Sequence, residues 1–162
     1  MSSRPWTFTL SGFKIDAIRE EQDCLYIKAQ SITLTAACPS CHHKAEQNVR
    51  MRSGLAGLAY VLGNLAPLFL MCDAGDLGTD IEPVENQTFG GPTVVLYDSV
   101  PAGIGFSERL FEIHDELIAR AFELVRECPC ADGCPSCVGP GGENGYGGKQ
   151  EALAILGKLT NN

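Results

Sequence analysis

Cys128-Pro129-Cys130-Ala131-Asp132-Gly133-Cys134-Pro135-Ser136-Cys137 is the stretch on which the fold turns. Four cysteines stand within ten residues, separated by one, three and two residues. That spacing lets four thiolates close around one ion, and Gly133 and the prolines give the chain its sharp returns. Zinc suits the set best, because it prefers tetrahedral thiolate sites and needs no redox chemistry. Four thiolates leave no open coordination position, so Cys128, Cys130, Cys134 and Cys137 define a structural site and not a catalytic one. An iron–sulfur cluster is the rival occupant. Disulfides are the plain alternative, and they require an oxidising compartment.

Upstream of the loop, Leu110, Phe111, His114, Leu117, Ile118, Ala121, Phe122 and Val125 recur at helical spacing. They predict one helix from an N-cap at Ser107 to about Glu127. Downstream, a glycine-rich loop over 139–148 leads to a short helix, Lys149–Leu159, with Leu153 and Leu156 inward. The metal therefore staples two helices across a loop too polar to pack. Pro92–Tyr97 is an almost continuous apolar run, which predicts a strand buried on both faces. The segment 73–91 before it is polar and glycine-rich and reads as a loop. Ser53–Cys72 carries no charge over twenty residues, enough to span a bilayer. Gly63-Asn64 and Pro67 interrupt it, so it reads as a buried helix over Leu55–Leu62, a turn, and a buried strand over Leu68–Cys72.

The N-terminal part differs. Residues 6–10, 24–28 and 31–35 alternate as strands, with Glu20-Glu21-Gln22-Asp23 as a polar turn. This predicts a small antiparallel meander ending in Cys38-Pro39-Ser40-Cys41-His42-His43. Cys38, Cys41 and His42 are candidates for a second metal, which Cys24 or Cys72 would have to complete; free thiols are the alternative. The whole chain of 162 residues carries a net charge of −8. Residues 1–52 carry seven basic and five acidic side chains, whereas 53–162 carry five and fifteen. The change near Met51 suggests a β-rich segment over 1–50 and a zinc-binding domain over 51–162. The expected class is α+β or α/β: a small mixed sheet with flanking helices and a four-cysteine zinc loop, preceded by the meander.

Two phosphate-binding motifs fail. Gly148-Lys149 is followed by Gln150, and Glu143 stands where a Walker A loop needs glycine. Gly103-Ile104-Gly105 sits between a strand and a helix, but Glu108 stands at the third glycine position of a dinucleotide fingerprint. No nucleotide site is expected. Asp73, Asp76, Asp80 and Asp98 lie near strand ends, where they could bind magnesium or act as acids and bases. Aspartates also cap turns, and that is the favoured reading here.

Three motifs in order resemble one family. Leu70–Gly78 (LMCDAGDLG), Val95–Phe106 (VLYDSVPAGIGF) and the four-cysteine loop look like the C-terminal zinc-binding domain of MrfA-like helicases, DExH-type enzymes of DNA repair. The resemblance covers about residues 51–160. It implies zinc on the four loop cysteines and an accessory role beside a helicase motor on DNA. The ATP-binding and DExH motifs are not in this sequence. Residues 13–50 resemble instead the zinc-finger region of a class of insertion-sequence transposases, which suggests a fused or truncated frame.

The expected function is a non-catalytic zinc module that braces or recruits a helicase motor. Contact with DNA is expected to be mainly indirect, with Lys14, Arg19, Lys28, Lys44, Arg50 and Arg52 as the candidate cations if the chain touches DNA itself. The acidic remainder favours a protein partner over autonomous DNA binding. No membrane partner is expected, and clustered metal-type cysteines without a secretory signal point to the cytoplasm. A structural fragment without independent activity is the alternative. A metal-dependent hydrolase using Asp73, Asp76 and Asp98 is a weaker one.

Overall fold

The computed structural model describes residues 8–9, 13–21, 24–31, 45–82, 93–100, 105–140 and 148–160. Five strands form one sheet: β1 (Phe8–Thr9), β2 (Phe13–Glu21), β3 (Cys24–Ser31), β4 (Leu77–Glu82) and β5 (Thr93–Asp98). Their spatial order is β1-β2-β3-β5-β4. Every pairing in it is antiparallel, so the expected mixed sheet is an antiparallel one in an α+β fold. The N-terminal strands do not stand apart. Cys24 to Lys28 of β3 pair with Tyr97 to Thr93 of β5, so the meander extends the sheet it was expected to precede.

β5 behaves as its composition demands. Thr93, Val94, Val95 and Leu96 are all buried, and four consecutive buried residues on a pleated strand require cover on both faces. β4 lies inside the segment expected to be a loop. Its sequence, LGTDIE, holds only two large apolar residues, which fits a strand at the sheet's edge and weakens the pattern. β2 was hidden for another reason. Its apolar residues fall at Phe13, Ile15 and then Ile18, so alternation loses phase. The register shifts between Ile15 and Ala17, where Asp16 is the extra residue of a bulge.

The larger correction concerns α1, which runs unbroken from Ala45 to Leu70. It replaces the short helix, turn and strand read from the sequence. At about 1.5 Å per residue it is roughly 39 Å long, with Pro67 inside its last turn. Proline there removes one intrahelical hydrogen bond, a local loss. Burial outweighs it: Leu55, Leu58, Val61, Leu62 and Ala66 are fully or almost fully covered. At about 2 kcal/mol for each large apolar side chain, that burial exceeds the cost of one proline and the helix's three glycines. Asn64 fits as well, its side-chain amide donating to the Tyr60 carbonyl one turn back. The helix ends at Met71, whose φ of 54° is left-handed, with the Cys72 N–H donating to the Pro67 carbonyl. This is a Schellman-type stop with methionine where glycine is usual. Arg52–Leu70 is apolar and long enough to cross a bilayer, but half of that stretch is buried within the fold. It is the core helix, packed on β4, β5, α3 and α4.

The predicted long helix is two. α2 spans Phe106–Glu112 and α3 spans His114–Glu127, with Ile113 between them at φ −103° and ψ 10°. The His114 ring nitrogen sits 2.5 Å from the Phe111 carbonyl, occupying an acceptor at the break. Ser107 is not the cap. The helix follows Gly105, at φ 85°, and the Asp98 carboxylate accepts the N–H groups of Gly105, Phe106 and Ser107. Leu117, Ile118, Ala121 and Val125 of α3 are buried as the spacing predicts. The last helix, α4 (Lys149–Leu159), buries Ala152, Ile155 and Leu156, with Leu153 partly covered. α1 runs through Met51, where the charge of the sequence changes.

Candidate metal centre

The four loop cysteines converge. Their Sγ atoms all lie within 4.8 Å of one another. Cys128 to Cys130 is 3.5 Å, Cys130 to Cys137 is 3.4 Å, Cys137 to Cys134 is 3.6 Å and Cys134 to Cys128 is 3.5 Å, a closed ring. A disulfide would bring two sulfurs to about 2.05 Å. All four are free thiols, so the disulfide alternative falls. Sulfurs about 2.3 Å from a central zinc stand roughly 3.8 Å apart when tetrahedral. The ring is within a few tenths of an ångström of that edge. The donor set therefore fits one zinc ion, with every position taken by protein sulfur.

Three helices hold the loop. α3 delivers Cys128 at its C-terminus, where the Cys128 N–H donates to the Leu124 carbonyl. The turn Cys134-Pro135-Ser136-Cys137 closes with the Cys137 N–H on the Cys134 carbonyl at 3.0 Å, and the Gly139 N–H shares that acceptor. Gly133, at φ 133°, supplies the return between the two cysteine pairs. From α1, the Tyr60 hydroxyl donates to the Pro135 carbonyl at 2.9 Å. From α4, the buried Lys149 ammonium donates to the carbonyls of Cys128 and Cys130, at 2.5 and 2.6 Å. The sequence marks neither Tyr60 nor Lys149 as a partner of the loop. Their partners lie 75 residues away for Tyr60, and 21 and 19 away for Lys149.

The thiols are not equivalent. The Ser136 backbone N–H, then the Cys128 side chain, hold Cys134 down at about 7. Burial pushes Cys137 up to about 12. A divalent cation supplies what the buried thiol lacks, since it holds a coordinating sulfur in its thiolate form.

Among the described residues no other cluster of cysteine, histidine and carboxylate groups could hold a metal. Three of the aspartates are engaged by backbone N–H groups. Asp98 caps α2, the Asp76 carboxylate accepts the Asp73 N–H, and the Asp80 carboxylate accepts the Ile81 N–H. Cys72, at the end of α1, is free and lies near Asp76, Asp73 and Asp98; burial first, and these charges after it, raise its thiol. Cys38, Cys41, His42 and Lys44 lie outside the described residues. Lys14, Arg19 and Lys28 are placed on β2 and β3, Arg50 and Arg52 on α1, and the Arg52 side chain is exposed.

A closed thiolate site at the meeting of three helices, beside an antiparallel sheet, defines a structural zinc-binding domain. The chain belongs to the MrfA Zn-binding domain family, which matches residues 58–138, half of its length. It is 36% identical over 106 residues to the ATP-dependent helicase YprA of Bacillus subtilis, a match covering 65% of this chain and 14% of that one. It is 32% identical over 100 residues to protein MJ1572.1 of Methanocaldococcus jannaschii, covering 59% of this chain and 89% of that one. In fold it is similar to the DUF1998 helicase MrfA, whose crystal structure was solved bound to DNA: TM-score 0.67, 29% identity, 84% of this chain and 17% of that one. The chain thus spans about a seventh of the helicase YprA. The structural match is longer than residues 51–162, so it takes in part of the N-terminal segment. The resemblance of 13–50 to a transposase finger gains no support from these matches.

Proposed function

We propose that the chain is a non-catalytic accessory module that braces or recruits a helicase motor on DNA. The carrying observation is the closed ring of four sulfurs, which leaves zinc no position for water or substrate. The ion organises the loop and the helices α3 and α4 that flank it, and those helices present a fixed surface. The engaged aspartates speak against a hydrolase, because the carboxylates of Asp76, Asp80 and Asp98 already accept backbone N–H groups. The archaeal relative, of which this chain covers 89%, consists of little beyond this domain. That supports a module able to act on a motor carried by another chain. DNA repair, and a cytoplasmic setting, follow as part of this reading.

The test is functional. The chain is added to a helicase motor of the MrfA type from which the corresponding domain has been removed. We expect DNA-stimulated ATP hydrolysis and strand separation to rise in its presence, and neither from the chain alone. No effect on the motor, with magnesium-dependent cleavage by the chain itself, would replace this reading with the hydrolase. A salt titration of DNA binding separates direct from indirect contact. Tight binding by the chain alone, lost in a Lys14→Ala/Arg19→Ala/Lys28→Ala variant, would make the contact direct.

A further inference from the structure

We infer that Lys149 is a counter-cation built into the zinc site, a positioning residue that sets how tightly the chain holds its metal. The inference rests on the zinc assignment and not on the helicase reading. Three observations converge on it. First, the residue is only 7% exposed, although lysine is almost never buried without compensation. Second, it opens α4, where the helix dipole disfavours a cation. Third, no carboxylate among the described residues lies within ion-pair distance of it. Its Nζ instead reaches the carbonyls of two metal ligands, Cys128 and Cys130, and its backbone N–H lies 3.4 Å from the Asp132 carbonyl.

Carbonyl dipoles satisfy the ammonium's protons, but they are neutral. The missing countercharge is the site itself. Four thiolates around a divalent zinc carry a net charge of −2, and they stand on the backbone that Lys149 grips. The ammonium and the cluster each offset the other's burial. Lys149 also ties the first cysteine pair to α4, which has its own fixed seat. A Cβ added at Gly148 would stand 2.4 Å from the Ser53 carbonyl oxygen, so α4 begins in direct contact with α1. Partners beyond the ligands themselves are worth about 10–100-fold in metal affinity at other sites.

The experiment measures zinc affinity of the full chain by competition with a chromophoric chelator. Lys149→Met removes charge and donors, Lys149→Gln removes the charge but keeps two N–H donors on a side chain one atom shorter, and Lys149→Arg keeps charge and donors. We expect Lys149→Met to weaken zinc by about 10–100-fold and Lys149→Gln by at least about fivefold. Lys149→Arg is expected to restore affinity to within about threefold, since it keeps the charge and enough N–H donors for the two carbonyls. Cobalt(II) in place of zinc gives sulfur-to-metal charge-transfer bands, which are expected to move in Lys149→Gln and return in Lys149→Arg. A merely structural lysine predicts otherwise: stability falls equally with and without metal, while affinity and the cobalt bands stay as in the parent chain. That result would overturn the inference. If Lys149→Met does not fold even with zinc, Lys149→Gln decides, and parental affinity in it is equally fatal.

Discussion

The loop over 128–139 and the packed body around α1 and β5 are held by different physics. The body buries Leu55, Leu58, Leu62, Val94, Leu96, Leu117 and Ile155, and needs no metal to explain its cohesion. The loop buries only Cys137, Val138 and Gly139. Its remaining residues are polar, proline, or small, and the apolar area they hide cannot offset the entropy of ordering them. The loop is therefore ordered by a metal and by two anchors, Tyr60 and Lys149, that the body extends to it. The body can be altered without touching the metal, whereas the loop cannot be ordered without it.

Metal removal should produce the largest effect and test the contrast directly. With chelator, the amides of 128–139 are expected to lose protection from exchange while those of β5 and the middle of α1 keep most of theirs. Four thiols should become open to alkylation at pH 7. Cys72 should remain slow, because burial and nearby carboxylates favour its neutral thiol. Simultaneous loss of protection in β5 and the loop would break the comparison. Next in size, Leu62→Ala in the centre of α1 should cost about 2–5 kcal/mol in a denaturant titration. Its zinc stoichiometry should stay at one per chain. Loss of zinc together with stability would show that the site depends on the body more than its two anchors imply.

Asp98→Ala removes the acceptor for three backbone N–H groups at the start of α2, and should lower stability by about 1–2 kcal/mol. A neutral effect on stability would return Asp98 to the candidates for chemistry. Smallest, and of opposite sign, Met71→Gly should raise stability by about 0.5–1 kcal/mol. Met71 is 93% exposed and left-handed, so glycine relieves strain and forfeits no packing.

How legible each region was in the sequence follows the same division. The metal loop was readable because its ligands are neighbours in the chain, and thiolate chemistry restricts what four of them can do. The buried faces of α3 and α4 were readable because helical spacing is local. α1 was misread because Gly63, Asn64 and Pro67 are local signals for a break, whereas its continuity is decided by contacts with β4, β5, α3 and α4. β4 escaped because an edge strand need not alternate strongly, and β2 because a bulge resets its phase at Asp16. The anchors lay deepest. Lys149 had a visible oddity, a cation at the start of a helix that otherwise turns apolar residues inward. Its neighbour Gly148 made it resemble a failed phosphate loop instead.

The pairing of β3 with β5 has a consequence for how the chain is made. β3 ends at Ser31 and its partner begins at Thr93, so more than sixty residues separate two strands that lie side by side. During synthesis the hairpin of β2 and β3 leaves the ribosome long before β5 exists. Until then β3 presents a row of unpaired backbone groups, open to any extended segment that can add a strand. Closing so distant a contact is slow compared with winding α1 or α3. The vulnerable period of this protein's life is thus its own translation, and it ends when β5 slots between β3 and β4.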